Sequence, residues 1–251
     1  MSRENRSRNP WLKDIPSVDE IIEQAKKRLN LSEDLIKKEP PYKIVSMLEK
    51  ECHAIYSEYE KKVKERADSG VYGHIDQQMF MTSLANSRRA RAGATLEKLL
   101  EFLLKIYKIP HEKNVHIQGE VEFDFVFPNL PTAILTPGHS VLLSVKREVR
   151  ERWKLTVGDA YILRHKYGYP LLDNIWFISL GDPPREAITS MTSLCIRVYL
   201  PNDLADKMRS DVRKFLSEDE VRRIRKFSDI IGDILKIAID KEMAAEECTI
   251  K

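Results

Sequence analysis

One eight-residue stretch constrains this chain more than any other. Glu120-Val121-Glu122-Phe123-Asp124-Phe125-Val126-Phe127 alternates with a period of two, which is what a strand shows when its faces have different surroundings. Its phenylalanines face one way, and Glu122 and Asp124 face the other. Everything before it is patterned for helix. Ser17-Val18-Asp19-Glu20 is a capping box, in which the Ser oxygen and the Glu carboxylate satisfy free amides at a helix start. Ile21, Ile22 and Ala25 follow at helical spacing. Pro40-Pro41 opens a longer helix striped with Ile44, Val45, Leu48, Cys52, Ile55 and Tyr56, which Ser69-Gly70 and Gly73 break. A third helix, 76–107, buries Leu96, Leu99, Leu100, Leu103 and Leu104, and Pro110 closes the region.

Beyond the alternating strand, Pro128, Pro131, Pro137 and Gly138 mark a turn region. A second strand is expected at 140–146 and a helix at 152–165. Ile175-Trp176-Phe177-Ile178 is wholly apolar, the pattern of a central strand covered on both faces. Residues 195–200 are a further strand candidate. Ser217-Glu218-Asp219-Glu220 is a second capping box, and from it a return to helix is expected through Val221, Ile224, Phe227 and the isoleucine-rich run after Ile230. The expected class is α/β (α+β), a mixed sheet flanked by helices with a helical N-terminal elaboration. Residues 1–75 are expected as the helical part and 76–251 as the core. At 251 residues and 42% hydrophobic, the chain can bury such a core.

Charge and motif narrow the function classes. Lys and Arg number 42 against 39 Asp and Glu, a net charge of +3. That excludes a histone-like chain but not a nucleic-acid enzyme, because a whole-chain sum hides local clusters. Residues 146–166 hold seven Lys or Arg against three acids, whereas 240–251 hold four acids against two Lys. No apolar run reaches the ~20 residues of a membrane span, and the Arg-rich start has no apolar stretch after it. Cys52, Cys195 and Cys248 form neither a disulfide framework nor a CxxC site, so a reducing cytoplasm is expected. Phosphate-loop, dinucleotide and nucleophile-elbow patterns are missing. The six His show no zinc spacing, and His111 and His116 are expected in loops.

Asp124 and Lys146 sit on polar faces of neighbouring strand candidates. Such a pair suits metal-assisted phosphodiester hydrolysis, with the Asp holding Mg²⁺ and the Lys positioning water and stabilising charge at phosphorus. Taken alone, the pair also fits a solvated ion pair. The surrounding residues add context. Ser144-Val145-Lys146 is followed by Arg150-Glu151-Arg152, beginning four residues after the Lys, and by Asp159 thirteen after it. Upstream stands Arg88-Arg89-Ala90-Arg91-Ala92-Gly93-Ala94-Thr95-Leu96-Glu97. In these features the chain resembles the type II restriction endonucleases of the EcoRII/SsoII/PspGI group, a variant of the PD-(D/E)xK nucleases. The resemblance covers 88–165.

The resemblance implies roles residue by residue. Asp124 and Asp159 hold the metal, Lys146 is catalytic, and Glu97 is a further active-site carboxylate. Asp159 stands in for the acid missing two residues before the Lys, one methylene shorter than the group's Glu. Arg150, Glu151 and Arg152 form the reading head: guanidinium forks match guanine O6 and N7, and a carboxylate accepts from cytosine N4. Arg88, Arg89 and Arg91 suit phosphates or, equally, the exposed side of their helix. Trp153 is expected as a core anchor. The group includes enzymes that flip a central base pair outward. Tyr42, Tyr56, Tyr72 and Phe80 are wedge candidates, although their helical spacing also assigns them to the core.

The expected function is therefore a Mg²⁺-dependent endonuclease acting on double-stranded DNA. A homodimer would read a CC-N-GG or CC-(A/T)-GG palindrome through its own twofold symmetry. The resemblance implies cleavage before the first C and five-base 5′ overhangs, with a cognate cytosine methyltransferase as genetic rather than physical partner. A structure-selective or repair nuclease fits the same residues. So does a DNA-binding protein with a decayed site, given the Asp at position 159.

Overall fold

The structure is a computed structural model that describes residues 9–147, 151–170 and 173–237. The chain divides into two compact units, residues 1–101 and 102–251.

The first unit is helical. Ser17 caps the helix Val18–Arg28 through the reciprocal Ser–Glu20 bonds expected from its sequence. A short helix, Glu33–Lys38, leads to the 28-residue helix Pro41–Asp68, which has Pro at its first position, where a missing N–H costs nothing. Its buried stripe is Ile44, Val45, Leu48, Cys52, Ile55 and Tyr56, continued by Glu60 and Val63. The helix Gln77–Ile106 begins in this unit. Trp11, in a 3-10 turn at Pro10–Asp14, stacks edge-on against Phe80 and donates its indole N–H to Ser83 Oγ at 2.8 Å.

The second unit is built on six strands: β1 Glu112–Ile117, β2 Val121–Phe127, β3 Val141–Lys146, β4 Ile175–Ser179, β5 Ile196–Leu200 and β6 Ile224–Lys226. They lie side by side in chain order. The β1–β2 and β2–β3 pairs are antiparallel, and β3, β4, β5 and β6 run parallel. The expected mixed sheet flanked by helices is what forms. β4 is buried along its whole length, as its apolar run predicts. The helix Trp153–Tyr167 follows β3 and ends at Gly168, whose φ of 66° makes it a left-handed cap. The helices Arg185–Ser193 and Asn202–Val212 connect β4 to β5 and β5 to β6.

Two expectations fail locally. Ile224–Lys226 is not helix but the edge strand β6, paired with β5 from Val198↔Ile224 to Leu200↔Lys226. The capping box at Ser217 starts a helix only five residues long, because burying Ile224 beside β5 outweighs continuing the turn. His116 lies in β1 opposite Glu122, not in a loop. Among the described residues, no helix is long and apolar enough to cross a membrane.

Candidate active site

The β2–β3 ladder pairs Phe127, Val126 and Phe125 with Val141, Leu142 and Leu143, and goes no further. At the point where it stops, Asp124 takes over. Its Oδ2 accepts the Val145 backbone N–H at 2.6 Å and the Lys146 ammonium at 2.8 Å. Both contacts fall on one oxygen. Asp124 and Lys146 are partly buried, with 15% and 22% of their side chains exposed. A pair this sheltered is screened less than a surface ion pair.

Asp159 comes to the same place from the helix Trp153–Tyr167. Burial pushes its carboxyl up to about 6; the Lys146 ammonium pulls the other way, and the Glu122 carboxylate adds to the rise. The sequence reading did not single out Glu122. The signal was present, since the period of two puts it on the Asp124 face, but only the docked helix gives it an acid to act on. Lys146 is thus the common neighbour of Asp124 and Asp159. Among the described residues no group of three or more His, Cys, Asp or Glu converges as a metal cage. Two carboxylates nonetheless fit Mg²⁺, which keeps several waters and is held through one or two carboxylates plus substrate oxygens.

Of the triplet expected to read DNA, Glu151 and Arg152 are exposed at the start of this helix, and Glu151 pairs with Lys154. Arg150 lies outside the described residues. The Arg147 carbonyl accepts the Gly181 N–H at 2.9 Å, which ties the start of the segment to the loop after β4. Trp153 is half-buried and packs against the core.

In the first unit, Glu97 is half-buried on its helix. The three arginines upstream of it part company. Arg88 forks onto buried Glu60, with Nε to Oε2 at 3.0 Å. Arg89 is exposed and bonds Asn86 Oδ1 at 3.5 Å. Arg91 is buried: its guanidinium bonds Ser87 Oγ at 3.1 Å and the Ile15 carbonyl at 3.2 Å, and also holds the Pro16 carbonyl. Tyr56 and Phe80 are core residues, Tyr72 is half-buried with its hydroxyl on Asp14, and Tyr42 is half-buried.

Comparison with known proteins places this geometry. Residues 56–219, about two thirds of the chain, match the family model described as EcoRII C terminal. The chain belongs to the EcoRII C-terminal family. No curated protein sequence matches this EcoRII-type endonuclease. Among solved structures it is similar to the restriction endonuclease PspGI in complex with substrate DNA, with a TM-score of 0.77 and 29% identity over 89% of this chain and 93% of that one. It is also similar to metal-depleted Ecl18kI with uncleaved DNA, at a TM-score of 0.67 and 18% identity, covering 94% and 84%. A second Ecl18kI complex, with uncleaved, modified DNA, gives 0.66 and 18% over 91% and 80%. The Ecl18kI likenesses concern the fold. The family makes the chain a site-specific nuclease of the type II restriction class.

Proposed function

We propose that this EcoRII-type endonuclease cuts double-stranded DNA at a short palindrome of the CC-N-GG or CC-(A/T)-GG type, with Mg²⁺ and as a homodimer. The observation that carries the reading is the convergence of Asp124, Lys146 and Asp159 at the end of β3, in a chain whose relative PspGI was solved with substrate DNA. Asp124 and Asp159 are the residues that would hold Mg²⁺, which supplies Lewis acidity to a phosphate oxygen when bound.

The chain's own groups account for the rest. Lys146 spends one N–H on Asp124 and has two others to orient a water and to stabilise charge at phosphorus. Water oxygen attacks phosphorus, the bond to the 3′ oxygen breaks, and that oxygen leaves with a proton, giving 5′-phosphate and 3′-hydroxyl ends on five-base 5′ overhangs. Arg150, Glu151 and Arg152 read the outer G·C pairs, and Arg89 contacts backbone phosphate. Arg91, whose guanidinium is taken by main-chain carbonyls, holds the N-terminal segment instead. The cognate cytosine methyltransferase is a genetic partner that would protect host sites.

Incubation with phage DNA in Mg²⁺, with and without chelator, tests the proposal. Discrete fragments that end at one palindrome and vanish with chelator are expected. Smears or cuts at junctions only would make the chain a structure-selective nuclease. A gel shift without any cleavage would mark a decayed site.

A further inference from the structure

The apolar strand β4 ends on a polar residue. After Ile175, Trp176, Phe177 and Ile178 comes Ser179, which is fully buried. A buried hydroxyl needs hydrogen-bond partners. Among the described residues, every side-chain bond of Ser179 goes to Arg147 or Gly181. The Gly181 N–H is shared between Ser179 Oγ at 3.1 Å and the Arg147 carbonyl at 2.9 Å. The single hydroxyl proton lies within reach of two carbonyls, Arg147 at 3.4 Å and Gly181 at 3.5 Å. The three residues close a small ring around the Arg147 carbonyl.

Arg147 is the residue directly after Lys146, and Glu151 and Arg152 follow soon after it. The ring therefore sits where the chain leaves Lys146 and heads for the helix Trp153–Tyr167. That helix brings little restraint of its own at its start, since its N-cap residue, Arg152, makes no side-chain cap bond. The far side of the ring is stiff. Gly181 is followed by Asp182-Pro183-Pro184, in which Pro183 is buried and Pro184 stands at the N-cap of the helix Arg185–Ser193. Proline fixes its own φ and confines the residue before it to extended backbone, so the loop after β4 is a firm anchor.

Lys146 does not depend on the ring. Its ammonium is held by Asp124 Oδ2 at 2.8 Å, and its backbone pairs with that of residue 179 in the β3–β4 ladder whatever side chain stands there. Asp159 does not depend on it either, because Thr156, Ala160 and Leu163 bury the body of its helix. What the hydroxyl holds is the direction in which the chain leaves β3, and with it the place of the residues proposed to read the groove.

We propose that Ser179 is a positioning residue for recognition. Through the Arg147 carbonyl it pre-sets the segment that leads to Glu151 and Arg152, so that cognate DNA does not have to order that segment on binding. Holding a loop in its bound form raises affinity by removing an entropy cost. The inference rests on the proposed reading of a fixed palindrome, and adds to it a residue that is itself sealed from solvent.

Steady-state cleavage by the full chain in Mg²⁺ tests it, on a duplex carrying the palindrome that the chain's own digest fragments define. A second duplex with one substituted base pair serves as competitor. Ser179→Ala should raise KM for the cognate duplex about three- to tenfold, the size of one buried hydrogen bond, and leave kcat within about twofold. The Ki of the substituted duplex should stay unchanged, so discrimination falls by the same factor. Ser179→Cys keeps the volume but offers only a weak donor. It should show the same split, and it serves as the test if Ser179→Ala does not fold. A merely structural role would lower Tm and the active fraction, and so reduce kcat with KM unmoved. That outcome overturns the proposal, as do wild-type kinetics in either folded variant. A wild type that cuts at no fixed sequence refutes the proposed reading itself, and the inference falls with it.

Discussion

Replacing Asp159 by Asn should make the protein more stable and less active at once. Burial raises the Asp159 carboxyl from 3.8 to about 6 in the folded chain. Each pKa unit is worth about 1.4 kcal/mol, so a shift of roughly two units makes the ionised carboxylate cost about 3 kcal/mol of folding stability at pH 8. The sign follows from proton uptake. Between pH 4 and 6 the folded state holds the proton more tightly than the unfolded one, so this group's contribution to stability rises as pH falls through that window. Below about pH 4 both states are protonated and the cost is gone. Asn removes the charge but leaves a polar amide in the same half-buried place, so a net gain of about 1–2 kcal/mol at pH 8 is expected, or Tm higher by about 2–8 °C. Urea unfolding at pH 8 and pH 4.5, with chelator present, measures the difference, which should nearly close at the lower pH. Cleavage should fall at least about a hundredfold, and Mg²⁺ should stabilise the wild type more than the variant. If the variant is less stable at pH 8, or cuts at the wild-type rate, the placement of Asp159 beside Lys146 and Glu122 is wrong.

Other consequences are equally direct. Lys146→Ala should abolish cleavage while specific binding persists in a gel shift. Asp124→Ala should do the same and also cost about 1–3 kcal/mol in urea unfolding by orphaning the Val145 N–H; Asp124→Asn, which keeps an acceptor, should recover most of that stability and none of the activity. Arg152→Ala should lose about 1–3 kcal/mol of discrimination at a G·C pair, read from binding to single-substituted sites. Arg91→Ala should lower stability by about 2–3 kcal/mol through the unpaired Ile15 and Pro16 carbonyls. Arg89→Ala should leave stability alone and reduce the salt slope of DNA binding by about 1.

Local pattern carried much of the fold. The period of two at β2, the apolar run at β4, and both Ser–Glu capping boxes formed as their residues dictate. What stayed hidden depends on contacts distant in sequence. Ile224-Arg225-Lys226 is too short to show a period, and β5 decides its conformation. The run Arg88-Arg89-Ala90-Arg91 gives no sign that one guanidinium turns inward, because that choice is made by carbonyls some 75 residues earlier. The polar strand faces pointed to Asp124 and Lys146, and the family resemblance to Asp159, but the raised pKa of Asp159 comes from its burial where the helix packs beside the sheet. Glu122 and Ser179 gain their interest only from what packs around them.

The helix Trp153–Tyr167 has a mechanical consequence. Arg152 stands at its start and Asp159 seven residues on, about 10 Å along the axis and within about 20° of the same face. Under the proposed roles, the residue that reads the groove and the acid that serves the phosphodiester ride on one rigid lever. A misfit that tilts the Arg152 end carries Asp159 away from Lys146 in the same movement, so an error in reading becomes a loss of alignment at the bond to be cut, with no separate relay between them.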